Sequence, residues 1–168
     1  MRRPAGFTYI GLLILLAVIG LAAAATVQAG SIAQRRQAED ELIFVGLQFK
    51  KALRAYYEST PAGSAMTAPR KLEDLLRDPR YPFTRRYLRK LYDDPLTGSS
   101  DWGIIRSGDG GIVGVYSESL DKPIRMANFP DELFYFEGKK SYHDWVFVYG
   151  VVCQNSGCEL PPQNAFGP

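Results

Sequence analysis

From Phe7 to Val27 the chain runs for 21 residues without a charged side chain, and the helical pattern that begins there does not stop where the run ends. At about 1.5 Å per residue such a stretch reaches roughly 32 Å as a helix, close to the thickness of a hydrocarbon core. Arg2 and Arg3 precede it, and basic residues beside a first span resist translocation, so everything after Val27 is expected to face outward. Beyond the run, Ala38, Leu42, Val45, Phe49, Ala52 and Tyr56 follow in steps of four and three, which lays them along one stripe of a helix. Gln34, Arg35, Arg36, Glu39, Asp40, Glu41, Lys50, Lys51 and Arg54 fill the other faces, and Pro61-Ala62-Gly63 supplies a stop. The pattern predicts one helix from about Phe7 to Glu58, apolar all round in its first half and amphipathic in its second.

A secretory signal peptide is the competing reading, with Val27-Gln28-Ala29 as a small-residue site and release at Ala29 before Gly30. The apolar run exceeds the about 7–15 residues usual for such a peptide, and a removable segment has no need of a helix that continues past the cut. A chain of 168 residues holds one domain of ordinary size plus an anchor. Its net charge of +2 does not by itself point to a polyanionic partner.

Gly6-Phe7-Thr8-Tyr9-Ile10-Gly11-Leu12-Leu13 resembles the cleavage and methylation signature of type IV prepilins and type II secretion pseudopilins. The resemblance implies that a prepilin peptidase cuts between Gly6 and Phe7 and methylates Phe7. It also implies a protein that waits as a single-pass inner-membrane protein with a periplasmic head, then joins other pseudopilins or pilins through an inner-membrane assembly platform. The organisation follows: a leader at 1–6, a transmembrane and filament-core helix at 7–30, its amphipathic continuation at 31–58, and a head at 59–168. Asp94-Pro95-Leu96-Thr97-Gly98 with Asp101-Trp102-Gly103 is similar, more loosely, to the segment after the helix in secretion-protein-G-type pseudopilins. The family's fifth mature residue is normally Glu, where this chain has Gly11. That departure implies either a minor or tip subunit, with no neighbour ahead to pair, or a replacement that neighbouring subunits compensate. A minor type IV pilin serving adhesion or DNA uptake is the alternative within the same class.

The head is expected to be α+β and pilin-like, with the long amino-terminal helix packed on a small antiparallel sheet. Lys71 to Arg77 predicts a brief amphipathic helix ended before Pro79. Trp102 to Arg106 and Gly111 to Tyr116 read as strands joined by Ser107-Gly108-Asp109-Gly110. Asp144 to Val152 reads as a third strand, and Leu133 to Phe136 as a shorter neighbour.

Candidate chemistry is sparse. Cys153 and Cys158 are the only cysteines and His143 the only imidazole, too few ligands for a structural zinc site, so a disulfide closing a short terminal loop is expected. Asp93, Asp94, Asp101 and Asp109 match no calcium-loop spacing and serve better as turn residues, and no metal or cofactor is expected. His143 beside Asp144 lacks a nucleophile elbow or phosphate loop, so no catalytic residue is assigned. Between Arg70 and Lys90, eight basic residues stand against Glu73, Asp74 and Asp78, a local charge of +5 interleaved with Tyr81, Phe83 and Tyr87. A solvated face or a contact with acidic neighbouring subunits is the expected role, and nucleic acid is not an expected partner.

Overall fold

The computed structural model describes residues 7–61, 63, 65–150, 152–154 and 157–159, with side chains for 9–21, 32–61, 63 and 65–150. Helix α1 runs from Phe7 to Glu58, as its hydrophobic pattern predicts. Contacts divide the chain into two units, Met1–Gln37 and Ala38–Pro168. Gly6 lies outside the described residues, as do the side chains of Phe7, Ala29, Cys153 and Cys158. In the first unit every described side chain from 9 to 21 is exposed. Among the described residues no helix is long and apolar enough to cross a membrane.

The second unit is an α+β domain in which the carboxyl-terminal part of α1 packs on a three-stranded antiparallel sheet. Strands β1 (Gly103–Arg106), β2 (Ile112–Tyr116) and β3 (Val146–Val148) lie in the order β1-β2-β3, with Ile104 opposite Val115 and Val115 opposite Phe147. The β1–β2 loop closes as a tight turn, with the Ser107 N–H donating to the Gly111 carbonyl at 2.8 Å. Gly110 supplies the positive φ of 82° that this turn requires. The predicted stripe is the spine of the core: Leu42, Val45, Phe49, Ala52 and Tyr56 are buried, while Ala38 at the stripe's start is half-buried. They join Trp102, Ile112, Val115, Trp145 and Phe147 in one cluster. A separate hairpin of β4 (Val152–Gln154) and β5 (Gly157–Glu159) sets Cys153 opposite Cys158 in backbone register.

Three expectations are corrected. Leu133 to Phe136 is no strand but part of a 3-10 turn, Asp131–Phe136, which follows Pro130 and carries Asp131 and Glu132 in its first turn. Pro130 precedes the element with its φ fixed by the ring, and a non-helical backbone at Leu133 (φ −128°, ψ 16°) kinks the span between two 3-10 turns, which leaves no extended run for a strand. The strand expected over Asp144 to Val152 shrinks to β3. Asp144 accepts hydrogen bonds from the Ser141 N–H and hydroxyl at 3.2 and 3.1 Å and winds Tyr142–Asp144 into a turn, and Gly150 at φ 90° ends the ladder. The helix expected over Lys71 to Arg77 is a single 3-10 turn, Leu72–Leu75.

Helix and sheet meet at Gly46, where a Cβ would fall on the ring of fully buried Phe147. Glycine costs a helix interior about 1 kcal/mol, which the close approach offsets. Gly46→Val should destabilise the head by about 1–3 kcal/mol through overpacking, measured by urea unfolding of the full chain in detergent. An unchanged midpoint would show that Phe147 has room to retreat.

Candidate functional site

The exposed helix of the first unit and the surfaces of the head are the chain's candidate working parts. On the helix, large apolar side chains from Tyr9 to Leu21 are between 47% and 73% exposed among the described residues. A helix apolar on every face is stable only when lipid or other helices surround it. Gly11 and Gly20 each have open space where a Cβ would project, so no local packing demands glycine at position 11.

In the head, three carboxylates tie irregular loops to the regular elements. Glu39, expected on a solvated face, is buried. Its oxygens accept hydrogen bonds from the backbone N–H of Ile124 at 2.8 Å and of Arg125 at 3.0 Å, and from the Tyr142 hydroxyl at 2.7 Å. The reason is positional: Glu39 lies three and four residues before Leu42 and Ile43, on the flank of the apolar stripe. Beside it, exposed Asp40 pairs with Arg125 at 3.1 Å. Glu39→Ala would take the side-chain acceptor from two backbone donors and from the buried Tyr142 hydroxyl, so it should cost about 1–3 kcal/mol. It should also raise amide hydrogen exchange at Ile124 and Arg125, whereas unchanged exchange there would mean the loop is held by other contacts.

Asp94 is fully buried in the Asp94-Pro95-Leu96-Thr97-Gly98 turn, where it accepts from the Leu96 N–H at 2.9 Å and from the Ser117 hydroxyl at 2.6 Å. Asp101 accepts from Ser99 at 2.8 Å, Asp109 accepts from Ser107, and Asp93 is exposed. Among the described residues no three His, Cys, Asp or Glu side chains are grouped so as to hold a metal ion.

Asp78 and Arg80 form the third tie. The guanidinium holds the buried Asp78 carboxylate through Nε at 2.9 Å and Nη2 at 2.7 Å, and it sits 3.7 Å from the Tyr56 ring centroid. Its Nη2 also donates to the Tyr56 carbonyl at 2.7 Å, in the last turn of α1. That turn carries no basic residue of its own, so Arg80 brings the cation a helix carboxyl terminus favours. Burial pushes the Asp78 carboxyl up, but hydrogen bonds from Arg80 and Tyr87 outweigh it and hold it below the usual carboxylate range. Burial likewise lifts the Tyr56 phenol to about 12. Arg80 is therefore a structural residue within the basic segment, while Arg77, Arg86, Arg89 and Lys90 remain exposed.

His143 is exposed, its ring 4.6 Å from that of Tyr116, and Asp144 is engaged by Ser141 and not by the imidazole. A groove of about 800 Å³ opens between Lys50, Arg54 and Tyr57 on α1 and Glu132, Phe134 and Tyr149. The Lys50 ammonium lies at its edge, where burial lowers its pKa and it donates to the Glu132 carbonyl at 2.9 Å. The Trp145 indole N–H is buried without a hydrogen-bond partner among the described residues. Sequence reasoning missed the roles of Glu39, whose partners lie 85 to 103 residues away, and of Asp78 and Arg80, which pair two residues apart and fasten to the end of α1, 24 residues before Arg80. No family model, curated protein or solved structure matches the chain.

Proposed function

We propose that the chain is a non-enzymatic pseudopilin-like subunit, anchored by the uncharged run Phe7 to Val27 and assembled through it into a periplasmic filament of a type II secretion or related system. The observation that carries this reading is the uncovered apolar surface of residues 9–21, on the same helix whose later turns form the spine of the head. In this reading prepilin peptidase cuts between Gly6 and Phe7 and methylates Phe7, and the bilayer holds the run until neighbouring helices replace the lipid. Gly11 offers no carboxylate to a neighbouring amino terminus, which favours a minor or tip position. Cys153 and Cys158, opposite each other in register, form a disulfide once the head is outside.

Fractionation of cells that carry the natural gene tests the anchoring. The protein should resist carbonate extraction from inner membranes, and its head should be digested by protease added to spheroplasts. A carbonate-soluble protein, or a head protected in spheroplasts, would contradict the reading.

A further inference from the structure

We propose that the groove between α1 and the Asp131–Phe136 turn is a peptide site filled from within, by residues 160–168 of the same chain. Its wall holds an aromatic pair, Tyr57 and Tyr149, with ring centroids 5.4 Å apart. Met66, 62% exposed, and Phe134, 36% exposed, extend that apolar surface. The rim is charged but balanced, with Lys50, Lys51 and Arg54 against Glu58, Asp131 and Glu132. Equal numbers of cations and acids give neither a polyanion nor a polycation an advantage there, so the fitting occupant is an uncharged segment.

The residues that follow β5 have that chemistry. Leu160-Pro161-Pro162-Gln163-Asn164-Ala165-Phe166-Gly167-Pro168 carries no charged side chain. Adjacent prolines favour the polyproline conformation, which docks on aromatic-lined grooves at little cost in entropy. Gln163 and Asn164 bring amides that can meet a rim of mixed charge, and Leu160 and Phe166 bring apolar anchors.

The backbone delivers this segment to the groove. Gly150 lines it and, at φ 90°, turns the chain out of β3. Strand β4 begins two residues later at Val152, and β5 returns antiparallel to set Glu159 opposite Val152. Two residues span at most about 7 Å and paired strands lie about 5 Å apart, so the chain leaves the hairpin close to Gly150. From there residues 160–168 reach about 28 Å in the polyproline conformation. The α1 wall from Lys50 to Tyr57 is only about 10 Å long, so the segment can cross the whole groove.

Peroxide oxidation of the full chain in detergent, read residue by residue by peptide mass spectrometry, tests this occupancy. Met66 lines the groove, whereas Met126, 49% exposed, lies outside it and serves as the internal standard. Against that standard, Met66 should oxidise about fivefold or more slowly in the full chain than in one shortened to end at Glu159. Pro161→Gly with Pro162→Gly should raise the Met66 rate towards that of the shortened chain, because the loosened segment loses its preorganisation. An unchanged Met126 rate in both variants shows that the head stays folded. Equal Met66 rates in the full and shortened chains would overturn the proposal, whether the methionine is open or shielded in both. Protection that fades on dilution of the full chain would also overturn it, since the occupant would then come from a second copy.

Discussion

Arg80→Leu should lower the stability of the head by about 3–5 kcal/mol, because it strands the buried Asp78 carboxylate without its cation. The same change removes a donor to the last turn of α1 and the cation over the Tyr56 ring. Leucine keeps part of the apolar contact, so the loss reports on charge more than on volume. The control is Asp78→Asn with Arg80→Leu, which removes both charges and should recover much of the loss. Chemical unfolding of the full chain in detergent reads both variants, and equal losses in single and double variants would show that the pair itself contributes nothing. The same tie predicts acid lability. A carboxyl held below its usual range contributes stability that is complete above that range and disappears as pH falls through its folded value. The wild-type head should therefore lose stability below about pH 4, and the Asp78→Asn, Arg80→Leu variant should lose less over that interval.

Leu16→Arg should have the largest effect on location. It sets a charge near the middle of the Phe7 to Val27 run, on a side chain 56% exposed within the chain. A charge at the centre of a spanning helix costs about 2.5–3.5 kcal/mol in insertion, a shift on the order of a hundredfold in the balance between membrane and water. The carbonate-resistant fraction should collapse, while Gln34→Arg, outside the run, should leave it intact. Full membrane retention of Leu16→Arg would mean that another part of the chain provides the anchor.

Much of the helix was legible because its signal is periodic and local. The steps of three and four from Leu42 to Tyr56 name the buried face, and Pro61 with the following residues marks where it ends. The β1–β2 hairpin was legible for the same reason, since Ser107 to Gly110 is a turn and the flanking residues are β-branched. The segment from Asp131 to Asp144 was not. Phe134, Tyr135 and Trp145 resemble strand residues by type, yet Pro130 and the Ser141–Asp144 cap decide the local backbone first. Glu39 and Arg80 were misplaced for a different reason. A charged side chain reads as solvated until its packing is known, here against Ile124, Arg125 and Tyr142 for the one and, for the other, against the Tyr56 carbonyl at the end of α1 and the neighbouring Asp78.

The measurement that bears most directly on the subunit reading is the intact mass of the protein from its native membrane, with sequencing of its amino-terminal peptide. The account predicts a chain that begins at an N-methylated Phe7. A chain that begins at Gly30 would contradict it, because the run that anchors and packs the subunit would have been discarded.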